Sequence, residues 1–401
     1  MPRTFYTYKT ARDPMDTTPP KPSRRELPLE FSASGSEYFR IWIVNLLLTI
    51  VTLSLYLPFA KARRLRYFYA NTLVDGQPLA FHGNPWTMFR GHLVVMAFGL
   101  VYFFSAKLWP AVGAALFLIF LAVWPALWRS SLIFRLRNTS WRGLRFDFTG
   151  GLGGAYKAFM PWLVPVLGVF LFAILAAAAA PHMKSGAPPT ALFLSLIFGF
   201  YAVLLVAGAL TWVWIKRYQH GGYAIAGQQA SLKLSLGQVL MLGLKAIGLS
   251  IIALLGLGVL AACVAWAIGS FEGGSARAGA VGAVVGALAF YAAILFAWGP
   301  YLGARLQNLL WTGTRSQQLV FLSRLSARSL GWLTLKNWLL IILTLGLYRP
   351  FAVVATTRLK LDAVRIGLYG DLDHWLSERA RNQENAVGEM GGDFFGFDVG
   401  L

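Results

Sequence analysis

Six long apolar runs constrain this chain more than any other feature: about residues 93–108, 110–127, 159–180, 190–214, 246–270 and 278–299. None alternates as a strand does over its length, and lipid cannot satisfy an open backbone, so each is read as helix. Crossing a hydrocarbon core of roughly 30 Å takes about 20 such residues. The links Trp109-Pro110, Pro181 to Pro189 and Ser270 to Arg277 are short, which makes three helical hairpins. Links between the hairpins are longer, polar and basic. Only 13% of residues are charged, against about a quarter in a soluble domain. The chain is therefore expected to be an integral membrane protein. Its net charge of +20 must sit in the links, where beside so much apolar sequence it suits anionic lipid rather than nucleic acid.

A second feature brackets these runs. Tyr38 to Asn71 is repeated without a gap near the other end, with Asn45 matched by Asn337, Thr52 by Thr344 and Arg66 by Arg358. The string Leu53-x-Leu55-Tyr56-x-Pro58-Phe59-Ala60 returns as Leu345-x-Leu347-Tyr348-x-Pro350-Phe351-Ala352. From Ile41 to Leu55 is only about 22 Å of helix, and each copy ends on β-branched residues and a proline. Both copies, 41–57 and 333–350, are therefore expected to be re-entrant or interfacial elements; eight full spans are the alternative. Lys and Arg placement favours the former. With both termini and every inter-pair link in the cytoplasm, only Lys107, Lys184 and Arg277 lie outside, and 33 of the 36 basic residues lie inside.

Repetition extends further. A step of 67 residues carries Pro58 to Pro125, Asn71-Thr72 to Asn138-Thr139 and Gly83 to Gly150. Each unit reads as helix, proline, basic helical extension and short β-hairpin, with hairpin signals at Val74-Asp75-Gly76-Gln77 and in the alternation Leu144-Arg145-Phe146-Asp147-Phe148. The expected fold is an all-α polytopic membrane protein with six transmembrane helices, two short elements and β-hairpins in the cytoplasmic links. Its expected parts are a flexible tail over 1–36, one membrane domain over 37–366 (units 37–92, 93–158, 159–245 and 246–366), and an acidic tail over 367–401. No apolar stretch near the N-terminus reads as a cleaved signal peptide. The small residues Ala278, Gly282 and Gly286 mark one helix face, and Gly258 with Ala262 another. Such faces serve close packing inside the chain or a homo-oligomer seam.

Catalytic signals are sparse. No Asp or Glu falls in a long run, which weighs against a proton-coupled carrier. The five histidines lack metal spacing and Cys263 is alone, giving no metal site. The serines lack a nucleophile setting. No enzyme, cofactor or metal is expected. What recurs is cationic and aromatic. Lys61, Arg63, Arg64, Arg66 and Arg90, then Arg135, Arg137 and Lys157, stand at the same place in successive units, mixed with Tyr67, Phe68, Tyr69 and Trp141. These are candidate ligands for anionic headgroups, with Asn45 and Asn337 as candidate pathway residues. A channel or carrier between the helix pairs is the alternative function. The acidic end from Asn382, with Phe394, Phe395 and Phe397, is a candidate occupant of the same basic layer.

The strings Glu37-Tyr38-Phe39, Ile41-Trp42-Ile43-Val44-Asn45, Lys61-Ala62-Arg63-Arg64-Leu65-Arg66-Tyr67-Phe68-Tyr69, Phe81-His82-Gly83 and Arg217-Tyr218-Gln219-His220 resemble the signature of YjgN-type bacterial inner-membrane proteins. In that pattern glycine usually stands where this chain has Ser54, and the second copy keeps Gly346. The resemblance implies a multi-pass location in the bacterial inner membrane and brings no reaction with it.

Overall fold

A computed structural model of the chain describes residues 24–179, 191–225, 227–272, 282–284, 286–287 and 294–369. One arrangement, strand–helix–helix–strand, occurs five times among them. The first is β2 (Leu29–Phe31), α1 (Gly35–Val51), α2 (Leu57–Ala70) and β3 (Thr72–Val74), with β1 (Arg24–Leu27) ahead of it. Next come β4 (Gln77–Phe81), α3 (Pro85–Leu108), α4 (Pro110–Arg137) and β5 (Thr139–Trp141). The third is β6 (Leu144–Phe148), α5 (Leu152–Ala179), α6 (Ala191–Gly221) and β7 (Tyr223–Ile225). After β8 (Gln228–Gln229), the fourth holds β9 (Ser231–Leu232), α7 (Leu236–Glu272), a π-helical stretch Ile294–Leu302 running into α8 (Gly303–Gly313), and β10 (Thr314–Arg315). The last is β11 (Leu319–Ser323), α9 (Ala327–Leu343), α10 (Arg349–Asp362) and β12 (Val364–Tyr369).

The strands of different units pair with one another rather than standing as separate hairpins. One antiparallel sheet runs β2 to β8 in order and the other runs β1-β12-β11-β10-β9. Pro28 alone separates β1 from β2, and Ala230 alone separates β8 from β9, so the two sheets join end to end into a closed ring. Closure removes the edges that would otherwise pair with other chains. Its interior is packed: Leu27, Val74, Trp141, Leu144, Ile366 and Leu368 form one buried cluster, and the Trp141 indole donates to the Val74 carbonyl at 3.1 Å. The ring takes in residues on the far side of both expected tail bounds. Leu27, Leu29 and Phe31 alternate inward from the segment expected to be a flexible tail over 1–36. Val364, Ile366 and Leu368 do the same across the expected boundary at 367.

The helices touch in chain order, from α1 round to α10, and α10 packs back on α1. Five described helices are long and apolar enough to cross a membrane, with mean hydropathy from 1.2 to 2.2. Their flanks expose large apolar side chains such as Leu100, Phe103, Ile119, Leu167 and Ile252, as lipid-facing helices do. The chain is a helical, polytopic membrane protein. Part of the sixth expected run, 278–299, lies outside the described residues, as does Ala278 of the small-residue face. A Cβ built on Gly258 or Gly286 would meet no described atom within 4 Å. Cys263 is exposed on α7.

The first and last hairpins are the short ones. α1 and α9 have 17 residues each, about 25 Å of helix, whereas the 24 and 28 residues of α3 and α4 reach about 36 and 42 Å. Each short hairpin turns on the same device. Thr52 Oγ1 donates to the Leu48 carbonyl and accepts from the Tyr56 amide, as Thr344 does with Leu340 and Tyr348. The amide of Ser54 reaches the Thr49 carbonyl and that of Leu53 reaches Ile50, a Schellman closure. It puts Leu53 at φ 48° and Ser54 at φ 73°, with Leu345 at 49° and Gly346 at 93° in the copy.

Candidate functional site

Five equivalent bonds tie each helical hairpin to the ring and decide which cations remain for other work. Arg66 donates to the Gly83 carbonyl (3.1 Å), Arg129 to Gly150 (2.7 Å), Arg217 to Leu234 (2.8 Å), Asn308 to Leu325 (3.0 Å) and Arg358 to Ala33 (2.7 Å). Every accepting carbonyl lies two residues before the start of a helix. The Arg358 bond joins the last hairpin to the first. These side chains satisfy backbone groups where the chain leaves a strand for a helix, so Arg66 is occupied structurally.

A cavity of about 550 Å³ lies among α1, α2, α3, α4 and α10. Lys61 and Arg64 reach it from α2, Arg135 from α4 and Arg349 from α10, and among the described residues no Asp or Glu lines it. Apolar surface comes from Trp42, Leu46, Leu65, Phe81, Met88 and Phe134. The four cations occupy different positions along their own helices. Arg135 lies two residues from the strand end of α4, about 3 Å, and Arg64 six residues from that end of α2, about 9 Å. Arg349 opens α10 and is 13 residues from its strand end, about 20 Å. Arg64 and Arg349 both lie close to the Tyr38 hydroxyl.

Two polar groups in the same wall stand apart from this charge. Asn45 is 8% exposed, and its Oδ1, like His92 Nε2, is buried without a hydrogen-bond partner among the described residues. Nearby phenols add no negative charge at neutral pH. Burial pushes the Tyr223 hydroxyl up to about 12, against the pull of Arg135. Burial also raises that of Tyr67, which donates to the Ser34 carbonyl at 3.0 Å.

Of the residues singled out in the sequence, the cavity gathers Lys61, Arg64, Arg135 and Asn45. Arg137 lies 3.0 Å from Asp147. Arg63, Arg90 and Lys157 are exposed and do not line the cavity. Asn337 does not line it either; its amide donates within its own hairpin to Thr356 Oγ1 (3.3 Å) and the Ala352 carbonyl (3.4 Å). Residues 370–401, with the acidic end, fall outside the described residues. Sequence reasoning missed Arg349, Tyr38 and His92. Arg349 stands where the first copy has Leu57, so the repeat gave no reason to look there.

Comparison with known proteins adds a family. Inner membrane protein YjgN of Escherichia coli K12 is 31% identical over 185 residues, covering 45% of this chain and 46% of that protein. The protein of the same name from Salmonella typhimurium LT2 is 31% identical over 151 residues, covering 37% and 36%. In each case the matched stretch covers less than half of the relative's length. No solved structure matches the chain. A family described as bacterial protein of unknown function (DUF898) matches residues 26–394, from β1 through the whole strand ring and every described helix, and the chain belongs to that family.

Proposed function

We propose that this chain is a multi-pass, non-enzymatic protein of the bacterial inner membrane that binds an anionic headgroup or anionic solute in the α1–α2–α3–α4–α10 cavity. The observation carrying this reading is the lining: four cations beside apolar and neutral polar side chains, with no carboxylate among the described residues. Clustered cations with no described carboxylate among them favour a phosphate-type ligand, to which guanidinium groups make charge-assisted hydrogen bonds. The name of the relatives supports the inner-membrane location. The positive-inside bias supports a cytoplasmic strand ring and termini. Short helices with exposed tips, Leu53 at 84% and Leu345 at 95%, support two hairpins that enter the bilayer and return.

Native mass spectrometry of the full chain, purified in a mild detergent, tests the reading. Phosphatidylglycerol is expected to stay bound to the wild type and to be lost from R64A/R135A. Equal retention by both overturns it. Displacement of the retained lipid by millimolar inorganic phosphate would name a free anion as the ligand. The two short hairpins, which both line the cavity and turn back at Leu53 and Leu345, favour a second reading, a path for an anion. Phosphate entry into proteoliposomes, lost in the same variant, separates transport from binding.

A further inference from the structure

The fourth hairpin is built unlike the other four. In those the two helices pack along each other, α1 on α2, α3 on α4, α5 on α6 and α9 on α10. In the fourth, α7 packs on the π-helical stretch Ile294–Leu302, which carries Pro300, while α8 packs on β11 and α9. Such widened turns are rare and often mark functional sites. Between that stretch and the strands, α7 and α8 part around a second cavity of about 550 Å³. Its floor is the β9–β10 pair. The Lys233 amide donates to the Gly313 carbonyl at 3.0 Å and Arg315 stands opposite Ser231. Lys233 and Arg315 therefore share one face of the pair as diagonal neighbours, about 7–8 Å apart. Gly313 permits this approach, since a Cβ there would lie 2.7 Å from the Lys233 carbonyl oxygen. Arg305 joins the two from α8. The other four hairpins tie to the ring through an arginine; in the fourth Asn308 makes the tie, and Arg305 is left with a ring contact to Tyr301 at 5.9 Å. Among the described residues no carboxylate lines this cavity, and none of the three cations donates to an acceptor. The neutral groups beside them are engaged, Gln238 by the Ser235 amide and Asn308 by the Leu325 carbonyl. Much of the remaining wall is apolar, from Met241, Leu242 and Leu309. The face of α7 that holds Met241 continues at helical spacing through Leu244, Ile251 and Leu255, all exposed.

We infer that this cavity is a second site, separate from the anion cavity above, and that it holds an anionic phospholipid between α7 and α8. The phosphate lies on Lys233, Arg305 and Arg315, and an acyl chain runs from Met241 along the exposed face of α7. A free anion uses the cations alone and makes nothing of the apolar wall. A zwitterionic headgroup brings its own cation to a place that already has three, where like charges repel. An anionic lipid uses both halves of the cavity and bridges two helices that the protein itself leaves apart.

The full chain in phosphatidylcholine nanodiscs, titrated with phosphatidylglycerol that carries a photoreactive acyl chain, tests this by peptide mapping of the cross-links. Wild type is expected to be labelled around Met241 and Leu244 at lower lipid content than around Leu100 and Phe103, which face lipid on α3. R305Q/R315Q should need at least about tenfold more lipid for the same labelling of α7, the worth of one charge-assisted hydrogen bond, with labelling of α3 unchanged. Lys233→Gln should weaken it in part, and serves if the arginine variant does not fold. The lipid lost from R64A/R135A is a separate equivalent, so that variant should keep the α7 labelling. Equal labelling of α7 and α3 in wild type, or a preference that survives R305Q/R315Q and Lys233→Gln, means ordinary surrounding lipid and overturns the inference while leaving the anion-binding reading standing. Displacement by millimolar inorganic phosphate as well as by unlabelled phosphatidylglycerol would assign the cations to a free anion and overturn the lipid. An equal preference for α7 by a photoreactive phosphatidylcholine would remove the charge requirement, with the same result. Loss of the α7 labelling in R64A/R135A would make the two cavities one site and overturn their separation.

Discussion

The first and last hairpins share a length, a turn and a sequence pattern, yet the first brings Lys61 and Arg64 to the cavity wall and the last brings Arg349 alone among its cations. In α2 the positions facing Asn45 carry Lys61 and Arg64; in α10 the matched positions carry Val353 and Thr356. Asn337 closes on Thr356 and is 5% exposed. Asn45 lines the cavity instead, while the Oδ1 of each asparagine is buried without a partner among the described residues. The difference separates fold from function within a single chain. What the copies keep (Thr52 and Thr344, Arg66 and Arg358, Pro58 and Pro350) makes the turn and the ring contact. What they do not keep is the cationic wall, so that wall is not required to fold a hairpin of this kind.

The widest break of this comparison is to make the first hairpin resemble the last. K61V/R64T removes two charge-assisted contacts, each worth about 1.5–3 kcal/mol, so phosphatidylglycerol retention should fall about a hundredfold or more. Thermal unfolding in detergent, followed by intrinsic fluorescence, should move little, because the last hairpin folds with those residues. A variant that unfolds instead would show that Lys61 and Arg64 hold the hairpin together. A smaller effect is expected where the hairpins are alike. Arg358→Ala strands the Ala33 carbonyl and opens the contact that closes the ring of hairpins. It should cost about 2 kcal/mol of stability, and Arg66→Ala, which strands Gly83 in the same way, should cost about as much. A much smaller loss in both would mean that water replaces the guanidinium there.

Much of this was legible before any coordinates. The apolar runs, the short hairpins and the paired copies could be read because lipid leaves the backbone few options and because a repeat discloses itself by identity. The closed strand ring could not, although its signals were present. Leu27, Leu29 and Phe31 alternate, but Pro28 and the flanking charges made the segment read as a tail. Two-residue strands such as β8, β9 and β10 are too short for periodicity to register. At the site the basic residue types were legible and their division of labour was not. Arg66 and Arg64 are two residues apart, yet one is bonded to a carbonyl in the ring and the other lines the cavity. Which of the two a cation does depends on the path of the next unit, information that a local pattern does not hold.

The turn itself offers the finest test of the comparison, because one copy has the residue that the backbone asks for and the other does not. Ser54 sits at φ 73° and Gly346 at φ 93°, in the left-handed region where a side chain crowds the carbonyl that follows. Holding a non-glycine residue there costs about 1–2 kcal/mol, set against the extra freedom glycine has in the unfolded chain, about 0.4–1 kcal/mol. Ser54→Gly should therefore raise stability by about half to one kcal/mol, and Gly346→Ala should lower it by a similar amount. The two tips are otherwise built alike, with threonine bonds at 2.7 and 3.0 Å in one and 2.6 and 2.9 Å in the other. Neither residue lines the cavity, so lipid retention should be unchanged in both variants. Opposite signs in the melting curves at equal retention would locate the distinction between the hairpins in α2 and α10. Loss of retention in Ser54→Gly would instead make the tip part of the binding site, since nothing else about the hairpin would have changed.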